Sequence, residues 1–336
     1  MFSPCGKLTD KGALAYVVMG LMIGAFLLGA YVSNPDVFTA IGSGTSSAKA
    51  QPSKHFTLVI EPVDIKVAPD AIWHAWTFNG TVPGPTMHLE VGDSVSFHVI
   101  NRHNLTHSFH THLLNYNMTS DGSQANVISA MAPGAMIAPG KDYTYNFQVT
   151  EPGIFYYHCH SSDHHPISYH IRQGLYGAIM VDDRNTPKVD HDWVIFMGEM
   201  GSQVTGKGAP PFIMNGMGIP GGESALEETY TNQGFDGVKA MINTTLPTFS
   251  MKLGETARLN VINIGDQVHS FHLHNMKMVS EWYFPGRSWP AGVVQLVPGA
   301  ADSVLVTPVQ PGVWLFHCHV VFHADAGMIG VIIVSK

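Results

Sequence analysis

"VGDSVSFHVINRHNLTHSFHTH", Val91 to His112, returns as "LGETARLNVINIGDQVHSFHLH", Leu253 to His274. The spacing repeats with the letters: Gly92 to His107 and Gly254 to His269 both span 15 residues. Further on, Pro139 to Pro152 and Pro298 to Pro311 both span 13, and "PGIFYYHCH" is matched by "PGVWLFHCH". A chain that repeats itself on this scale is built from two copies of one unit. Inside the unit apolar and polar residues alternate, β-branched and aromatic residues are frequent, and Pro-Gly steps punctuate the runs. That is the pattern of strands joined by turns. The fold class is therefore all-β, with two sandwiches at residues 55–183 and 184–336, each of ordinary domain size. The Gly-, Met- and Pro-rich stretch at residues 198–238 reads as a long loop packed across the two domains.

Residues 1–33 differ. Gly12 to Val32 are 21 uncharged, mostly apolar positions, long enough to span a bilayer as one helix. Lys7 and Lys11 precede them, which orients the N-terminus inward and the body outward. Ala48-Lys-Ala50 resembles a signal-peptidase site but lies 18 residues past Val32. The expectation is an uncleaved N-terminal transmembrane anchor, a tether at residues 34–54, and an extracytoplasmic body; secretion after cleavage near Ala50 is the alternative. Only 12% of residues are charged and the net charge is -8, which suggests neither a nucleic-acid partner nor a basic membrane patch. Of three cysteines, Cys5 precedes the span, and Cys159 and Cys318 lie inside histidine motifs, so no disulfide framework is available.

Those motifs carry the chemistry. Four His-x-His pairs occupy equivalent places in the two repeats: His110/His112, His158/His160, His272/His274 and His317/His319. Strand alternation turns both imidazoles of a pair to one face. Eight such groups can hold a cluster of three copper ions. Cys159 and Cys318 each lie between two of these histidines, so either thiolate can join a mononuclear copper to the cluster through the backbone. In the second repeat the set for a type 1 copper is complete: His269, Cys318 and His323 as the trigonal plane, Met328 as the axial ligand. Zinc is the competing metal, but an axial methionine and a His-flanked cysteine do not fit its usual structural spacing.

The first repeat is offset. Aligned backward from the last strand, "HIRQGLYGAIMV" (His170 to Val181) matches "HADAGMIGVIIV" (His323 to Val334) without a gap. His170 then stands for His323, Leu175 for Met328, and six extra residues separate Cys159 from its histidine. The expectation is a second type 1 copper at His107, Cys159 and His170 with no axial sulfur, and with a raised reduction potential. A copper-free remnant is the alternative. His164 and His165 fall in the inserted loop and are not expected to be ligands.

In these motifs the chain resembles the multicopper oxidase family, in its two-domain, small-laccase-like branch, over residues 55–336. "HCHVVFHADAGM" (His317 to Met328) and "HTHLLNYNMTSDG" (His110 to Gly122) carry the resemblance. It implies two cupredoxin-like Greek-key sandwiches. It implies type 2 copper at His110 and His272, and a type 3 pair at His112, His158, His160, His274, His317 and His319. With the type 1 sites this makes about four to five copper ions per chain. It implies a homotrimer whose clusters lie between the first domain of one chain and the second domain of its neighbour. Asp121 matches a proton-donating position and Tyr116 a cluster-side tyrosine that could donate an electron. Leu113 and Asn275 depart from the glycine that usually follows each early His-x-His.

The reaction this implies is oxidation of an external one-electron donor, a small reductant or a cupredoxin, coupled to four-electron reduction of oxygen to water. A copper nitrite reductase, trimeric on the same scaffold, is the alternative; "YHIRQGLYGAIMV" resembles that family, which carries an aspartate where His110 stands. A third reading is non-enzymatic, with Met197, Met200, Met214 and Met217 binding cuprous ion. The Glu281 to Trp289 segment is expected to line the approach to the second-domain copper.

Overall fold

The computed structural model describes residues 53–123, 133–242, 244–280 and 289–336. The expected anchor and tether up to residue 52, and the Glu281 to Trp289 side chains, lie outside these residues. Among the described residues no helix is long and apolar enough to cross a membrane.

The alternation read from the sequence appears directly in strand Ser94–Asn101, where every second residue is buried. Four such sheets form. Two belong to the first repeat: a five-stranded sheet centred on Ser53–Ala68, and a four-stranded sheet of Met87–Glu90, Tyr176–Asp182, Gly153–His158 and His110–Thr111. The second repeat has a six-stranded sheet around Ala257–Asn263 and a five-stranded sheet of Thr248–Lys252, Ile329–Ser335, Gly312–Cys318, His269–Leu273 and Val293–Leu296. Each pair of sheets encloses an apolar core. Cys159 and Leu175 belong to the first core, Cys318 and Met328 to the second.

In both repeats the strand bearing the first His-x-His pairs antiparallel with the strand bearing His-Cys-His. His110 lies opposite His158, and His272 opposite His317. The register therefore brings each pair of motifs to one sheet end. The two sandwiches also share a core, in which Tyr156, Tyr176 and Met180 pack with Phe196 and Ile262. Buried apolar surface of this kind holds the domains together at about 25 cal/mol per Å².

The stretch at residues 198–238 is not one long loop. Val204–Lys207 adds an edge strand to the first domain by pairing with Asp70–Trp73, and Phe212–Met214 pairs with His191–Glu199 in the second. Gly222–Met241 is helical, with Gly234 at φ +62° breaking it into two pieces. Its apolar periodicity is weak because it buries little: Gly222, Gly237 and Val238 are its buried residues. Packing against the second domain, rather than an apolar stripe, holds it. Two short helices matter more for the sites. We label them α1 (Ile167–Arg172) and α2 (Val321–Asp325); they follow the two His-Cys-His motifs and present His170 and His323.

Candidate metal centres

Two buried groups of three donors form around the cysteines: His107, Cys159 and His170, and His269, Cys318 and His323. In the first, the two Nδ1 atoms are 3.2 Å apart, and Cys159 Sγ lies 3.6 Å from His107 Nδ1 and 3.3 Å from His170 Nδ1. In the second, the corresponding distances are 3.0, 3.8 and 3.7 Å. Metal bonds of about 2.0–2.3 Å would set three trigonal donors about 3.5–3.7 Å apart. The donors fit a trigonal cation of the His₂Cys kind.

The first-domain group includes His170, not His164. His164 pairs with Asp163 at 3.4 Å, and His165 stacks on Tyr169 with ring centroids 4.2 Å apart. Backbone bonds show why the backward alignment works. Cys159 N–H donates to Leu175 O and Cys318 N–H to Met328 O, each at 3.1 Å. Ser108 N–H and Ser270 N–H donate to the respective sulfurs, each at 3.4 Å. Leu175 and Met328 are both fully buried.

In the first group burial disfavours protonated imidazoles. Burial first, then the charges of His170 and His103, pushes the His107 pKa down to about 2. Burial likewise lowers His170 to about 4, against the Asp163 carbonyl, which raises it. Burial pushes the Cys159 thiol up to about 11, so a cation is what would make it a thiolate at neutral pH. In the second group burial opposes the charge on His269, but Cys318 and Glu199 outweigh it and raise the pKa.

The other histidines form one quartet per domain. His112 Nε2 and His158 Nε2 approach to 3.3 Å, and His274 Nε2 and His317 Nε2 to 3.1 Å. His110 and His272 complete the two three-donor groups. The His160 ring lies 5.0 Å from His110 and that of His319 5.3 Å from His272. Carbonyls fix the tautomers. Nδ1–H of His110 donates to Asp121 O at 2.7 Å and Nδ1–H of His272 to Gly292 O at 2.6 Å. His158 and His317 do the same to Cys159 O and Cys318 O, at 3.0 and 3.1 Å. Each Nε2 is left as the lone-pair donor, the usual arrangement for metal-bound imidazole. Among the described residues no group of candidate ligands mixes the two quartets.

Asp121 is buried beside the first quartet. Its Oδ1 accepts from Tyr116 OH at 2.9 Å and lies 3.8 Å from His110 Nδ1. Burial first, then the Asp121 bond and charge, raises the Tyr116 pKa to about 12. Gly122 makes this turn possible: at φ +65°, a Cβ there would lie 1.9 Å from Phe109 O. Met197 and Met214 are paired strand neighbours fully buried in the second core, as gap-filling side chains are.

Four neighbours were not foreseen. His103 Nδ1 lies 2.7 Å from His107 Nε2. Its signal was present, four residues before His107. Trp76 packs over the first site, 5.3 Å from the His107 ring and 5.2 Å from that of His170. Phe212 stacks on His323 at 4.0 Å. Tyr156 stacks on His112 at 4.0 Å and donates to Gly299 O in the other domain. Trp76 and Phe212 come from positions with no motif, whereas Tyr156 lies two residues before His158 in the repeated segment.

Two sequence models, both described as multicopper oxidase, match residues 61–186 and 223–336. A copper-containing nitrite reductase of Neisseria meningitidis is 29% identical over 266 residues, covering 76% of this chain and 62% of its own length. The multicopper oxidase MmcO of Mycobacterium tuberculosis is 28% identical over 265 residues, covering 71% of this chain and 49% of its own. The chain thus spans less than two thirds of these relatives. Among solved structures, a multicopper oxidase aligns with TM-score 0.67 and 26% identity, over 84% of this chain and 89% of that one. A copper nitrite reductase from Nitrosomonas europaea shares the fold, with TM-score 0.66 at 23% identity over 85% and 95% of the two chains.

Proposed function

The chain belongs to the multicopper oxidase family, and on that premise we propose that it couples one-electron oxidation of a donor to four-electron reduction of oxygen to water. Copper, when bound, supplies one-electron redox chemistry at the thiolate sites and a multi-ion centre for oxygen at the histidine quartets. The chain's residues hold these sites in fixed relation. His269, Cys318 and His323 bind at one end of the sandwich with Met328 behind them, and His107, Cys159 and His170 do so in the first domain. Cys318 shares its backbone with His317 and His319, so the two kinds of site are covalently joined. Asp121 holds a carboxylate 3.8 Å from His110 Nδ1, from which a proton can be passed at the cluster edge.

The observation that carries the reading is the matched pair of histidine quartets, each bonded in sequence to a buried His₂Cys site. Each quartet is half of an eight-histidine set and is partly exposed, as a shared site between chains requires. We take the assembly to be a homotrimer with clusters between neighbouring chains, about four to five copper ions per chain. The N-terminal segment anchors the body outside the cytoplasmic membrane. The donor is a small reductant or a cupredoxin.

The test is the stoichiometry of oxygen consumption by copper-loaded protein with a one-electron donor. Four electrons per oxygen, without peroxide, is the expected result. Nitrite reductase chemistry is the second reading, favoured by the 29% identity to the Neisseria enzyme. Nitrite-dependent oxidation of the donor without oxygen uptake would select it.

A further inference from the structure

The two His₂Cys groups have the same frame but opposite partners at the outer nitrogen of the first histidine. His107 Nε2 faces the imidazole of His103 at 2.7 Å. His269 Nε2 faces a carboxylate, Glu199 Oε1, at 3.6 Å. Glu199 is buried, its side chain 8% exposed. The Asp266 and Gln267 amides donate to its two oxygens at 2.9 and 3.2 Å. Gly265 leaves the room, since a Cβ there would lie 2.6 Å from Glu199 Oε2. In the aligned repeat that position is His103 itself. One repeat thus fills the place behind its ligand with an imidazole. The other empties it for a carboxylate arriving from strand His191–Glu199.

Glu199 is in turn met by the other domain. Arg172, two residues after His170 in α1, places Nε 3.8 Å from Glu199 Oε2 and bonds Asp266 Oδ2 at 2.5 Å. Gln267, between these groups, bonds His323 Nε2 at 3.2 Å. Both second-domain imidazoles are therefore backed by one polar network, to which, among the described residues, the first domain's ligand-bearing helix contributes the cation Arg172.

We propose that Glu199 is a positioning residue that lowers the reduction potential of the second-domain copper relative to the first, and that Arg172 moderates this charge from across the domain boundary. This rests on the oxidase reading, in that both His₂Cys groups hold copper. A carboxylate behind a ligating imidazole makes the ligand more basic. A more basic ligand, and a fixed negative charge in a site of low dielectric, favour the more positive oxidised ion. His103 offers no such charge. The sign of the effect is the same as the one a thioether would have, with Met328 standing where the first domain has Leu175. The two sites are thus held apart in potential by two independent devices.

The experiment is a redox titration of copper-loaded protein carrying Cys159→Ser, so that visible thiolate absorption reports the Cys318 site alone. Glu199→Gln keeps shape and removes charge. At a fixed ambient potential it should raise the reduced-to-oxidised ratio roughly tenfold, about 59 mV for a one-electron couple. Arg172→Gln should shift the ratio the other way. In a Cys318→Ser background Glu199→Gln should leave the first-domain ratio unchanged. A structural role would move both variants in one direction or broaden the band; that result, or an intact band with unmoved ratios, overturns the inference. If Glu199→Gln does not fold, Arg172→Gln decides alone. No thiolate band in the Cys159→Ser parent would instead overturn the copper assignment beneath it.

Discussion

The first and second His₂Cys sites are built on one set of backbone bonds and differ in three of the side chains around it. Both cysteines receive an N–H at 3.4 Å and give their own N–H at 3.1 Å to the residue in the axial place. Around this frame the aligned buried place holds Leu175 or Met328, the outer partner is His103 or Glu199, and the covering ring is Trp76 or Phe212. What the duplication has kept is ligand geometry, set by strand register. What differs is side-chain environment, which sets potential and access. One chain thus presents the same thiolate chemistry in two electrostatic settings.

The comparison breaks most visibly if the cysteines are exchanged one at a time. On the proposal that the second site takes the donor's electron, Cys318→Ser should lower oxygen consumption by about 10³-fold or more, a barrier increase of about 4 kcal/mol. Cys159→Ser should cost far less in the same assay. Equal losses would mean that the two sites act in series. Next, His170→Ala should remove one copper per chain and the Cys159 part of the thiolate absorption, whereas His164→Ala should remove neither; metal analysis with visible spectra reads both. Leu175→Met should then lower the first-domain potential toward that of the second, by about tenfold in the reduced-to-oxidised ratio, about 59 mV for one electron. An unchanged potential would show that Leu175 does not occupy the axial place.

The smallest effect concerns pH in metal-free protein. An unfolded histidine titrates near about 6.5. In the folded first domain His107 is lowered to about 2, His158 to about 3 and His170 to about 4, each chiefly by burial. Groups held neutral in this way contribute stability above about pH 6.5 that is lost as pH falls toward those folded values. In the second domain His274, His317 and His323 are also lowered, chiefly by burial, but His269 is raised, so its contribution is present below about pH 6.5 and is lost as pH rises through its folded value. Hydrogen exchange followed by domain should therefore show the first sandwich loosening before the second on acidification. The reverse order would contradict the burial argument.

Much of this was legible in the sequence, for a physical reason. Ligands two apart on a strand, and a cysteine between them, leave a local pattern that survives without any structure. The six-residue offset of His170 was recoverable because Gly174 and Gly177 align with Gly327 and Gly330. Glu199, Trp76 and Phe212 left no such pattern. They reach the sites from strands far away in sequence, and only the fold brings them there. The helix Gly222–Met241 was missed because a segment that buries so little has no periodicity to read.

The central claim is that one chain carries both thiolate sites and half of two shared clusters. Copper content of fully loaded protein, with the coppers sorted by paramagnetic resonance, tests it most directly. About five copper ions per chain, two of them in mononuclear thiolate-bound sites, is the expected result. About two per chain, with one thiolate site and one mononuclear histidine site, would contradict it.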